Sequence, residues 1–348
     1  MGAKAMPRRR GGILALAVLA LAAILAALAP ARGLPADDGP GHGAHFRLAW
    51  LANDPSNQYD NAILAGIESV AARSRSTVDA FYAGFDPATQ LTQCQEAVSS
   101  GSYDGLIVIA ASPTEIIPCV EAARAAGIPV AAVDLVIGED QTTPEPQVEG
   151  VVAASLIPAS EWGAGVTEIV PQTCAGLDPC DVFYLAGLES FPVDQFGLAA
   201  LAAAADASPS IALVGHAEAF YDTATAKAVV AQALADHPEI DVVIASGDQM
   251  ALGAEQAATE AGVTLRLVGA GAGASALDAV REGRWLATFN TLPHTEGRIA
   301  AQLLVRALRV RHAEPVGVNP VEASGLPVWW TEEALAEHPD FVGEWPGP

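Results

Sequence analysis

Short apolar runs rich in Val, Ile, Leu and Ala alternate along this chain with longer stretches whose apolar positions recur at helical spacing. The first pattern is that of a strand buried on both faces, the second that of an amphipathic helix. Runs at 46–52, 77–82, 106–110, 130–134, 150–153, 182–186, 211–215, 242–245, 265–269 and 285–290 predict strands. Between them, 57–74, 87–100, 113–126, 158–170, 196–206, 223–236, 248–261, 274–282 and 295–310 predict helices. In the first helix Ala62, Ile63, Ala65, Gly66, Ile67 and Val70 fall on one face. Steady alternation of this kind implies an α/β fold with doubly wound parallel sheets. A polar break at 138–147 divides two series, and 104–128 parallels 241–263, so two similar lobes are expected. The Pro- and Trp-bearing end of the chain, beyond 310, yields no element.

Around 241–254 the pattern carries chemistry. Val242, Val243 and Ile244 form a buried strand, Ser246 and Gly247 break it, and a helix follows. Asp248 stands where an N-cap belongs, at the carboxyl edge of a sheet. That edge is where open α/β sheets hold ligands.

The first 31 residues carry Lys4, Arg8, Arg9 and Arg10 and no acid, then an almost wholly apolar run from Gly11 to Ala29. Basic, apolar and small-residue regions in that order read as a secretory signal, with Ala29 and Ala31 placed for cleavage after Ala31. The run is also long enough for an uncleaved anchor. It has no Cys for lipid attachment, and its Arg triplet is compatible with twin-arginine export. A Gly/Pro-rich linker, 32–45, follows. Export would place Cys94, Cys119, Cys174 and Cys180 in an oxidising compartment, where three pairings are possible. Cys174 and Cys180 enclose a short loop and are expected to pair locally. Cys94 and Cys119 lie in neighbouring helices of one βαβαβ unit. Metal binding lacks a CxxC spacing or a nearby His.

The net charge is −24 over 348 residues, and outside the leader 13 basic residues face 41 acidic ones. Such a surface repels phosphate backbones, so nucleic acid is not an expected partner.

Three stretches carry a family resemblance. HPEIDVVIASGDQMALGAEQAATEAGV (237–263), YDGLIVIAASPTEIIPCVEAARAAGIPVAAVD (103–134) and LVGAGAGASALDAVREGRWLATFNTLPHTEGRIAAQLL (267–304) occur in the order and spacing of type I periplasmic binding proteins. From Phe46 to about Val321 the chain resembles the ribose-binding-like branch of that family. The resemblance implies two lobes joined by a three-crossing hinge near 153, 292 and 321. One lobe would comprise 46–153 with 292–321, the other 154–291 with 322–348. It implies capture of a small ligand in the inter-lobe cleft, as a secreted or periplasmic monomer without cofactor. The ligand would be handed to an ABC-transporter permease or, alternatively, reported to a chemoreceptor or sensor kinase.

Site residues follow from the resemblance one at a time. Asn57 and Tyr59 match the family's Asn-x-aromatic loop, Asp134 its strand-four Asp, Tyr221 a stacking aromatic, and Asp248 the Asp beside the hinge. Thr291 ends the last strand of the second series. Departures are equally informative. Asp60 replaces a second aromatic, Leu135 and Asp194 replace Arg, Gly247 replaces Asn and Gly271 replaces Asp. Cationic donors are lost and acids gained. Asp60, Asp134 and Asp194 together in a closed cleft would need donors from a ligand, because an unpartnered buried carboxylate is costly. A sugar, polyol or amino sugar fits; an anion does not.

Two enzyme classes stand as alternatives. Gly269-Ala-Gly271-Ala-Gly273-Ala274 fits the G-x-G-x-x-A dinucleotide fingerprint, which would mean an exported NAD- or FAD-dependent oxidoreductase. Its following strand ends in Asn290 and Thr291, not in an acid. Asp134 with Asp194 could pair as in a glycosidase. No G-x-S-x-G elbow is present. His294 stands near a lobe crossing and reads as a helix-start residue.

Overall fold

The structure is a computed structural model that describes residues 45–310 and 313–347, together with Gly2. The expected leader and nearly all of the expected linker lie outside the described residues. In chain order the first elements are β1 (Arg47–Ala52), α1 (Gln58–Ser74), β2 (Thr77–Tyr82), α2 (Pro87–Ser99), β3 (Gly105–Val108), α3 (Ile117–Ala125), β4 (Val130–Val133) and β5 (Val151–Ser155). Then come α4 (Ala159–Thr173), β6 (Cys180–Ala186), α5 (Pro192–Ala207), β7 (Ile211–Glu218), α6 (Thr223–Asp236), β8 (Val242–Ala245), α7 (Asp248–Ala261), β9 (Arg266–Ala270), α8 (Ala274–Arg281) and β10 (Ala287–Phe289). The last are α9 (Pro293–Arg309), β11 (Val316–Val318), α10 (Pro320–Ser324), β12 (Trp329–Thr331) and α11 (Glu332–Glu337).

Two six-stranded sheets result, ordered β11-β5-β4-β3-β1-β2 and β12-β10-β9-β8-β6-β7. Strands pair in parallel except β12, which runs antiparallel to β10. Each sheet thus repeats one doubly wound order, with its switch point beside the first strand of its series. The chain passes from the first sheet to the second at 156–158, returns at 290–292, and passes over again at 319–328. Among the described residues no helix is long and apolar enough to cross a membrane.

Local chemistry explains the boundaries. β3, β4 and β8 are buried along their whole lengths, which is why their sequences read as unbroken apolar runs. Asn57 caps α1, its Oδ1 accepting from the Tyr59 amide at 2.9 Å. Asp222 caps α6 through the Thr225 amide at 2.7 Å. Asp248 is not a cap: Gly247 holds that position without a side-chain bond, and Asp248 is the first helical residue. α5 begins at Pro192 rather than 196, because Pro in the first turn gives up an amide the helix does not use. α4 runs through Pro171 to Thr173, past its expected end. The C-terminal part, which showed no period, supplies β11, α10, β12 and α11.

Cys94 pairs with Cys119, joining α2 to α3, and Cys174 pairs with Cys180, closing the turn from α4 into β6. α9 belongs with the first sheet, where it packs along α1. The two helices meet at Gly66 and Gly297. A Cβ on Gly66 would run into the His294 carbonyl oxygen, and one on Gly297 into that of Ile63. This contact also places His294, as a helix-start residue. Backbone lies on both sides, so neither clash can be relieved by a rotamer change. Gly297→Ala is therefore expected to lower the unfolding free energy by about 1–3 kcal/mol, read from urea denaturation at an unchanged m-value.

Candidate functional site

The carboxyl ends of both sheets face one cavity, with about 900 Å3 of space not filled by protein, part of it open to solvent. From the first sheet, the turn after β1 brings Asn53, Asn57, Tyr59 and Asp60, and the end of β4 brings Asp134 and Leu135. From the second, the turn after β8 brings Ser246, Gly247 and Gln249, and the ends of β9 and β10 bring Gly271 and Thr291. The sheets' partners meet here. Gln249 Nε2 lies 3.5 Å from Asn57 Oδ1. Phe85, of the first lobe, packs at 6.1 Å on Tyr221 and 6.2 Å on Phe191, of the second.

Of the positions expected from the sequence, Asn57, Tyr59, Asp60, Asp134, Tyr221, Gly247, Gly271 and Thr291 line the cavity. Asp194 and Asp248 do not, which corrects the expectation for both. Asp194 is 0% exposed and spent on the protein. It accepts from the Ser246 hydroxyl at 2.6 Å, the Leu188 amide at 2.9 Å, and the Gly187 amide and Tyr184 hydroxyl, each at 3.2 Å. It holds the turn after β6 and reaches the cavity through Ser246 and through Tyr221, whose hydroxyl stands 3.5 Å away. Asp248 accepts from the Thr288 hydroxyl at 2.7 Å and the Gly273 amide at 2.9 Å, tying α7 to β10 and to the turn after β9. With Asp194 off the cavity, the Asp134–Asp194 pair is not assembled there.

The glycine-rich turn is also explained without a dinucleotide. Residues 338–347 fold back over it. The Ala274 amide donates to the Trp345 carbonyl at 2.9 Å and the Ser275 amide to that of Pro346 at 3.1 Å. Trp345 Nε1 donates to the Gly271 carbonyl at 2.6 Å. A Cβ on Gly271 would stand 2.8 Å from the indole, and one on Gly273 2.6 Å from Gly347. The amides a pyrophosphate would use at the start of α8 are therefore occupied. Trp345 then meets Tyr59 edge-on at 5.8 Å, forming the wall behind the cavity.

Among the lining residues that sequence reading missed are Phe85, Phe191, Trp162, Asn53, Gln249 and Glu296. Glu296 lies in the first turn of α9, where an acid is ordinary helix chemistry and gives no sign of burial. Phe85, Asp134 and Tyr221 all have positive φ, 61°, 66° and 53°. Strain of this kind gathers at the cavity rather than in the sheets.

The electrostatics are one-sided. Among the described residues, no Lys, Arg or His lines the cavity. Burial pushes Asp60 up to about 7 and Asp134 to about 6, although two backbone amides bond Asp60 and the Tyr59 hydroxyl faces Asp134. Glu296 is raised well above the ordinary carboxyl value by burial, then by Asp134 and Glu344. Asp194 at about 6 and Asp248 at about 7 are raised by burial too. In each case the folded protein holds a proton that an unfolded carboxyl, titrating near pH 4, has already released. Between about pH 4 and 7 the folded state binds more protons, so unfolding free energy falls as pH rises. Without added solute, the thermal midpoint is expected to be higher at about pH 5 than at about pH 7.5. Asp60→Asn should flatten the slope, and a midpoint rising across that interval would contradict the assignment.

Comparison with known proteins agrees with this architecture. The family model described as "Periplasmic binding protein domain" matches residues 48–312. The ribose import binding protein RbsB of Bacillus subtilis is 24% identical over 262 residues, 75% of this chain and 81% of that protein. Among solved structures, an ABC transporter solute-binding protein from Bacillus halodurans with bound myo-inositol superposes with a TM-score of 0.71 at 18% identity, covering 87% of this chain and 98% of that one. One from Mycobacterium smegmatis with bound glycerol gives 0.68 at 23% identity, covering 81% and 97%. The Caulobacter myo-inositol binding protein gives 0.70 at 21% identity, covering 85% and 96%.

Proposed function

Because the chain belongs to the periplasmic binding protein family, we propose that it is an extracytoplasmic solute-binding protein that closes on one small, carbohydrate-like molecule and releases it unchanged. Members of this family bind; they do not catalyse. The observation that carries the reading is the cavity itself. It lies where two parallel sheets present their carboxyl ends to each other, and it combines aromatic faces with hydrogen-bond acceptors and no cation. Rings receive the apolar C–H faces of a sugar or polyol, and carboxyls and amides receive its hydroxyls. The names of the relatives, which include ribose import and bound myo-inositol and glycerol, support the same chemical class.

On this reading Asn57, Tyr59, Asp60, Asp134, Tyr221, Gly247, Gly271 and Thr291 form the ligand site. Phe85, packed on Phe191 and Tyr221, closes its mouth. Taking the lobes to divide near 153, 292 and 321, rotation at these points opens the cleft. The ligand shifts an open–closed equilibrium toward closure, and the closed surface is what an ABC-transporter permease reads. The leader is removed after Ala31, and the exported monomer carries no lipid.

A thermal-shift screen across neutral sugars, polyols, amino sugars, polyamines and acidic sugars tests this. A ligand at a hundredfold excess over its Kd should add about 2.7 kcal/mol to folding stability. Tight binding of a sugar phosphate would overturn the reading. Tyr59→Ala is expected to weaken the ligand found by about 1–3 kcal/mol, the worth of one aromatic side chain buried against it. Calorimetry showing an unchanged Kd would remove Tyr59 from the site.

A further inference from the structure

We propose that Glu296 and Asp134 form an ammonium subsite, so that the captured solute carries a protonated amine. The inference rests on the solute-binding reading above and narrows it to amino sugars and related amino polyols.

Glu296 is 1% exposed and lines the cavity, yet its Oε2 has no hydrogen-bond partner among the described residues. Asn53, 2% exposed, likewise lines the cavity with an unpartnered Oδ1. Asn53 Oδ1 lacks a donor, and Glu296, raised by burial, keeps a proton that a cation in the cavity would displace. Carboxyls buried as deeply elsewhere show no such deficit: four donors within 3.2 Å serve Asp194, and two serve Asp248. Unpartnered amide oxygens occur also at Gln93, Gln141 and Asn290, away from the cavity, but among the buried carboxyls of the described residues Glu296 alone has an oxygen left without a partner.

The neighbours of Glu296 make it worse. Asp134 and Glu344 place two further acids close to it. Tyr59, held by the Trp345 edge, reaches toward both Asp134 and Glu296. Asp60 has the Asn53 and Asp54 amides at 3.3 and 3.2 Å and is the better served of the cavity carboxyls. Glu296 and Asp134 are left with one phenol hydroxyl between them.

A sugar hydroxyl would donate one hydrogen bond and bring no charge. An ammonium brings up to three N–H donors and a positive charge, enough to serve both carboxyls at once. In a site of low dielectric, the charge matters more than the extra bond. The Tyr59 ring adds a face suited to a cation.

Titration calorimetry of the exported protein at about pH 7.5, where an amine flanked by hydroxyls titrates like an α-amino group and is at least about half protonated, would use matched series. These are D-glucosamine, D-glucose and N-acetyl-D-glucosamine, and the corresponding galactose and mannose series. In at least one series the amine should bind about tenfold or more tightly than the hydroxyl sugar, with the N-acetyl form weaker still. Glu296→Gln should abolish that preference, read as the ratio of the amine and hydroxyl-sugar Kd values within the variant. Asp134→Asn should reduce the preference independently. Circular dichroism verifies that each variant is folded. A hydroxyl sugar binding as tightly as its amine overturns the ammonium subsite and leaves the solute-binding function standing. Retention of the preference in both variants overturns the assignment to these residues. Binding of no member of any series overturns both the subsite and the carbohydrate reading on which it rests.

Discussion

A carboxylate taken out of water must be given donors, and this molecule gives them unevenly. Asp194 and Asp248 sit deepest and are fully provided for by amides and hydroxyls of the second lobe. They act as brackets that set the turns after β6, β8 and β9. Asp60 is partly provided for, and Asp134 and Glu296 scarcely at all. That gradient, from structural turns to cavity wall, separates acids that build the site from acids that await a solute. It also explains why acidic composition alone could not identify the site, since both kinds of Asp look the same in a sequence.

Much of the fold was legible because the strands are buried on both faces and their apolar runs are unbroken. β3, β4 and β8 are four-residue runs without a single exposed position. Helices were legible where a capping side chain announced them, as at Asn57 and Asp222. Errors arose where one residue type serves two purposes. Asp248 looks like a cap and is a buried tie to β10 and to the turn after β9. Glu296 looks like a first-turn acid on a solvated helix and is a buried member of the cavity. The end of the chain was illegible because its elements are three to six residues long. These are too short to show a period, and their order comes from contacts with β10, α8 and the turn after β9.

The glycine-rich turn shows how a fingerprint can arise from a different need. Small residues at 269–273 admit a Trp indole and the backbone of residues 343–347, not a pyrophosphate. The same backbone carbonyls satisfy the first amides of α8. One folded-back segment therefore seals the back of the cavity and supplies the helix start with its acceptors. The glycines and Trp345 are two halves of one packing solution, separated by more than seventy residues of chain.

The crossing of α1 and α9 has a consequence for how the lobes come apart. Gly66 and Gly297 bring backbone against backbone, so the start of α9 cannot slide on α1 without breaking the tightest packing in that lobe. Glu296, although only a few residues past the second crossing, must travel with Tyr59, Asp60 and Asp134. The acceptor half of the pocket is thus carried whole on one body, preassembled before any guest arrives. The rings of Trp162, Phe191 and Tyr221 ride on the other lobe, and Phe85 of the first packs against the last two, so the two bodies meet aromatic to aromatic at one side of the pocket.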